Sequence, residues 1–187
     1  MQASLPDQIL STALLGVFLA PILADNSISE QNKGNVGGDS HQTVSIDRQS
    51  QTVNVDNNNG WHSWNTIFDY GKGYIATRHF ASKKCIISKI DPHIMPDVTT
   101  LPQVIKEKQK NHAREPPSKQ ITYMVSHKRI TNLAPYGKGI EAMCKGIPAY
   151  AAYEVRRPSF YYYSGSCFNA GILWIVGINY CGETVEA

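Results

Sequence analysis

The sequence has no C-x-x-C pair, no H-E-x-x-H and no G-x-S-x-G, and none of its six histidines stands at metal-ligand spacing from a cysteine. These gaps remove the usual signatures of structural zinc, thioredoxin-type redox chemistry, zinc proteolysis and serine hydrolysis. No carboxylate pair is spaced for acid and base roles either, so the reading is of a non-enzyme without cofactor or metal. No apolar run reaches the roughly 20 residues that cross a bilayer as a helix. A one-sided charge is missing as well. Eighteen Lys plus Arg against 15 Asp plus Glu leave a net charge of +3, too small and dispersed for a nucleic-acid footprint. The 187 residues contain no Asn-x-Ser/Thr sequon, so N-glycosylation is not expected.

The run ILSTALLGVFLAPILA, from Ile9 to Ala24, is apolar and ends in a small residue before the polar Asp25-Asn26-Ser27. It reads as a cleaved export signal occupying 1–24, with cleavage between Ala24 and Asp25, although Met1 to Gln8 carries Asp7 and no Lys or Arg. Export places four cysteines, an even number, where thiols oxidise. Cys85, Cys144, Cys167 and Cys181 allow three pairings. The 14-residue interval between Cys167 and Cys181 suits two strands that fold back and are stapled near their open ends, which leaves Cys85 for Cys144.

Asp25 to Asp39 is polar and Gly/Asn-rich and reads as a flexible leader. Thr43 to Asp47 and Thr52 to Asp56 alternate polar and β-branched residues, the pattern of a hairpin. NTIFDY, YIATRHF and KCIISKI then read as a meander between Asn65 and Ile90. Asp97 or Thr99 is placed to cap a short helix through Val104, Ile105 and Lys108. His112 to Lys119 reads as a loop, Ile121 to Val125 as a strand, and Leu133, Ile140, Met143 and Cys144 as the stripe of a second helix ending at Gly146. Tyr-Gly-Lys-Gly occurs at Tyr70–Gly73 and again at Tyr136–Gly139, read as turn chemistry at both places. Phe160 to Cys181 is dense in aromatic and β-branched residues and carries no charge, a strand-forming, aggregation-prone composition. Either Asn169-Ala170-Gly171 or Val176-Gly177 is available for its turn. The aromatic run Phe160 to Tyr163 fits a core strand, a client-like segment or a partner surface. Arg156-Arg157 is dibasic, but Pro158 follows and hinders cleavage.

The stretches NVDNNNGWHSWNTIFDYGKGYIATR, KKCIISKI, MPDVTTLPQVIKEK, MCKGIPAY and SGSCFNAGILWIVGINYCGETVE, in this order, resemble the gastrokine family, of the gastrokine-1 type, whose members carry a BRICHOS domain. The resemblance runs from about Val53 onward. It implies an α+β fold with a central antiparallel sheet flanked by two helices and a C-terminal disulfide-closed β segment. The organisation then reads as 1–24 signal peptide, 25–57 flexible leader and linker with a hairpin, 58–154 BRICHOS domain and 155–187 C-terminal β segment. The family's recurrent trio of one Asp and two Cys maps onto Asp69, Cys85 and Cys144, with Asp69 stabilising or switching the domain through its ionisation state.

For function, the resemblance implies a secreted gastric mucosal protein in epithelial protection, restitution and control of proliferation. Its BRICHOS module would act as an ATP-independent chaperone against β aggregation. Expected partners are β-prone peptide or protein clients, mucus proteins or an epithelial receptor, with oligomerisation open and no nucleic acid. The alternative is a peptide-hormone-like precursor or receptor-binding growth factor whose BRICHOS domain is purely structural.

Overall fold

A computed structural model describes residues 26–34, 38–110, 117, 119–155, 167–173 and 175–182. The strands are β1 (Asn26–Gly34), β2 (Gly38–Asp47), β3 (Thr52–Asn58), β4 (Trp64–Asp69), β5 (Tyr74–His79), β6 (Lys84–Lys89), β7 (Lys119–Ile130), β8 (Ala149–Glu154), β9 (Cys167–Ile172) and β10 (Val176–Cys181). All ten form one sheet in the order β1-β2-β3-β4-β5-β6-β8-β7-β10-β9. Neighbours are antiparallel except β6 with β8 and β7 with β10, which run parallel. Among the described residues two α-helices accompany them, α1 (Leu101–Lys110) and α2 (Lys138–Cys144).

The expected α+β arrangement, a central sheet flanked by two helices, is therefore overturned. The chain is mostly β, and one continuous sheet curls back toward itself in a nearly closed, barrel-like form. The physical reason is edge chemistry, since an exposed strand edge is a row of unpaired donors and acceptors. The hairpin β2–β3 and the C-terminal hairpin β9–β10 do not stand beside a domain; each extends its sheet at one end. The leader is corrected too, because Asn26–Gly34 pairs with β2 in nine-residue register instead of lying free.

Alternation sets the inner face. Val44 and Ile46, Val53 and Val55, Phe68, Ile75, Ile86, Ile121 and Tyr123, and Ile178 and Tyr180 are buried together with Leu101 and Ile105 of α1, as the two-residue period of a strand requires. Tyr180, at the far end of the sheet order, accepts a hydrogen bond from Thr77 of β5, and Thr77 is bonded to Thr66 of β4. These contacts close the curl. The opposite face of β5 and β6 buries Ala76, Cys85 and Ile87 under Ile140, Met143 and Cys144 of α2.

Local signals account for the joints. In the β2–β3 turn, Asp47 accepts bonds from the Ser50 hydroxyl and from the Gln49 and Ser50 N–H groups. Those bonds, the Ser50 hydroxyl first, hold its carboxyl below the usual range. Before α1, Asp97 accepts the Thr99 N–H on its side chain and the Leu101 N–H on its carbonyl, so the expected start signal precedes the helix by one turn. The last hairpin turns between the paired Ile172 and Val176, with Leu173 at φ 46°, and at neither of the two glycine-containing sites expected. Gly171 and Gly177 instead face each other across the ladder.

Candidate functional site

The turn joining β4 to β5 is built on Asp69. Its Oδ1 accepts the Lys72 N–H at 2.8 Å and its carbonyl accepts the Gly73 N–H at 2.7 Å, so the half-buried carboxylate is fixed by its own loop. Its other oxygen abuts Gly137, the residue before α2, so closely that a Cβ on Gly137 would lie 2.7 Å from Oδ2. Gly137 has φ 103°, a conformation that costs an L side chain strain. Only glycine fits both the backbone and the carboxylate there.

This contact brings the two Tyr-Gly-Lys-Gly copies together. The first is the β4–β5 turn, and the second leads from a short 3-10 turn (Ala134–Tyr136) into α2. Lys72 of one copy packs toward Gly137 of the other, and Tyr136 meets Tyr74 edge-on at 4.8 Å. Read as separate turns, the copies gave no hint of this meeting; their identity was the one sequence signal available. Below them, α2 is joined to β6 by the Cys85–Cys144 disulfide. Asp69, Cys85 and Cys144 thus surround one unit, the packing of α2 on the outer face of β4–β6.

Cys167 and Cys181 lie elsewhere. Directly opposite in the β9–β10 ladder, they are bonded to each other across the open end of the hairpin. The hairpin docks through β10, whose Val176 to Cys181 run parallel to Lys119 to Met124 of β7. Phe168 of β9 lies over His79 at 4.3 Å and against Trp64 at 6.3 Å, while Tyr180 stacks on Tyr123 at 5.7 Å. Burial raises the ionisation range of both Tyr180 and Tyr123, keeping them neutral donors and acceptors in the core. Sequence reasoning missed Gln42. From β2 its side chain donates to the Gly171 carbonyl at 3.4 Å and accepts the Leu173 N–H at 2.6 Å.

Ala24, Asp25, Phe160 to Tyr163 and Arg156-Arg157 lie outside the described residues. Among the described residues, no group of three or more His, Cys, Asp or Glu side chains converges on a metal-sized site, and no helix is long and apolar enough to cross a membrane.

A β sheet carrying a disulfide-anchored helix beside a carboxylate-centred turn defines a class of domain, and residues 60–151 match the BRICHOS domain family. The chain is 44% identical to human gastrokine-1 over 95% of its length and 97% of the relative's, and 46% identical to pig gastrokine-1 over 92% and 95%. Rat gastrokine-2 is 36% identical over 80% of this chain and 82% of its own. The chain belongs to the gastrokine family. No solved structure matches it.

Proposed function

We propose that this gastrokine is a secreted gastric mucosal protein that supports epithelial protection, restitution and control of proliferation, and that its BRICHOS domain holds β-prone polypeptide without ATP. The observation that carries the reading is the seat of the C-terminal hairpin. An uncharged, strand-forming segment lies in parallel register along β7, so the domain offers an edge on which the backbone groups of such a segment are satisfied. Without that edge the segment would present unpaired strand to other chains, the condition under which sheets template one another. A second extended peptide would meet the same chemistry whenever the hairpin is away, by strand addition. Secretion is supported by the apolar Ile9 to Ala24 run and by the pairing of all four cysteines.

The test is fibril growth of an unrelated β-forming peptide with the full chain at substoichiometric ratio, alongside the solubility of an isolated 158–187 peptide. Slowed growth and an aggregating peptide fit the proposal; unslowed growth and a soluble peptide remove it. N-terminal sequencing of protein from the medium, expected to begin at Asp25, tests the export step.

A further inference from the structure

We propose that the cleft beside the C-terminal hairpin is a binding site for an uncharged oligosaccharide, a function separate from the holding of β strands on β7. The cleft, of about 640 Å³, lies where the outer edge of β9 comes near the β2–β4 ends of the sheet. That volume is within the range of roughly 300–1,000 Å³ typical of small-molecule sites.

Its chemistry is narrow. Among the described residues no Lys, Arg, Asp or Glu lines it, whereas six carboxamides do: Gln42, Asn57, Asn59, Gln120, Asn169 and Asn179. The side-chain amides of Asn57, Gln120, Asn169 and Asn179 have no hydrogen-bond partner among the described residues. Asn169 and Asn179 are directly opposed across the β9–β10 ladder, and the next pair on the same face is Gly171 with Gly177. Gly177 is covered by the Pro117 ring, whose Cγ would lie 3.2 Å from a Cβ there, so the Asn pair is flanked on that side by Pro117 and Gln120. At one end the cleft reaches Trp64 and the half-buried Phe168, which meet edge-on, and His62, whose neighbour Trp61 is 74% exposed.

A carboxamide donates and accepts at once, as a sugar hydroxyl does, so opposed amides match vicinal hydroxyls without any charge. Aromatic surface nearby covers the apolar C–H face of a sugar ring. Among the described lining residues an anionic ligand would find no Lys or Arg, only His62, and a cationic one no carboxylate. Strand addition is disfavoured by Gln42. Its side chain already holds the Gly171 carbonyl and the Leu173 N–H, two groups on the outer edge of β9 that an incoming strand would need. That clasp protects the edge and leaves the amides free.

The test titrates the full, disulfide-intact chain with maltotriose, chitotriose and N-acetyllactosamine, followed by saturation-transfer and ¹⁵N shifts. At least one is expected to bind and to shift the side-chain amides of Asn169, Asn179 and Gln120. Its affinity should change less than about two-fold across a ten-fold rise in salt, because no charge pair is screened. Asn169→Val and Asn179→Val place good strand formers on a solvent-facing ladder pair. They are expected to leave the thermal midpoint unchanged while weakening binding about ten-fold, as loss of paired hydrogen bonds would. The proposal is overturned if none of the three binds at about 10 mM, or if both valine variants bind as the parent does. It is equally overturned if an extended Thr/Val peptide shifts the β9 backbone amides while the sugars shift nothing, which would reassign the cleft to strand addition.

Discussion

Cys85–Cys144 joins β6 to the end of α2 across 59 residues, whereas Cys167–Cys181 joins the two strands of one hairpin across 14. The first bond fastens a helix to the sheet, and Asp69 completes that fastening from the other end of α2 through its contact with Gly137. The second stiffens a hairpin that no cross-link ties to the rest. The hairpin stays in place through a six-residue parallel ladder, burial of Ile172, Val176, Ile178 and Tyr180 in the main core, the Gln42 clasp, the Thr77–Tyr180 bond and aromatic stacking. One region is thus cross-linked to the sheet and the other is held by non-covalent packing alone, so the hairpin is expected to open before the locked region.

Removing the two bonds separately breaks the comparison most strongly. On the chain-entropy account, Cys85→Ala with Cys144→Ala should cost about 4 kcal/mol and Cys167→Ala with Cys181→Ala about 3 kcal/mol, read from denaturant unfolding. Only the first pair should also release α2, visible as lost protection of the Ile140 and Met143 amides. Next in size is Gly137→Ala, expected to cost about 2–3 kcal/mol because its φ is positive and its Cβ meets Asp69. In an Asp69→Ala background the penalty should shrink by at least about 0.5 kcal/mol, a coupling that a double-mutant cycle measures.

How much of this was legible in sequence differs between the regions. The hairpin of Thr43 to Asp56 follows from alternation and the meander from Asn65 to Ile90 from its density of β formers, and Ile140, Met143 and Cys144 mark the buried stripe of α2. The leader strand was not legible, because NSISEQNKG carries little apolar pattern and owes its strand form to pairing with β2. Turn rules misplaced the last hairpin, since Leu173 accepts a left-handed φ that glycine usually takes. Long-range meetings such as Asp69 with Gly137, or Gln42 with Gly171, depend on how the sheet curls, and no local spacing encodes that.

Two smaller effects sharpen the comparison at the hairpin. Gln42→Leu strands the Gly171 carbonyl and the Leu173 N–H; it should cost about 2 kcal/mol and raise hydrogen exchange at Leu173 while leaving β4–β6 unaffected. The smallest effect is a pH dependence through His79, whose ring is buried against Phe168 and bonded to Ser82. Burial first, then the nearby His62 and Lys84, lower its ionisation range from the ordinary 6.5. The unfolded chain therefore binds the proton more readily than the folded one. Stability from this group is full above about 6.5 and declines as pH falls through that value toward the folded range. Unfolding curves at pH 7.5 and 5 should show the decline, and His79→Gln should flatten it.

Native-state hydrogen exchange of the full chain, followed residue by residue at rising denaturant, tests the central claim that the hairpin opens apart from the locked sheet. The account predicts that the amides of Ile178, Tyr180 and their β7 partners exchange together through one sub-global opening. Thr77, Ile86 and Ile140 should exchange only at the free energy of global unfolding. A single shared free energy for all of these amides would contradict it.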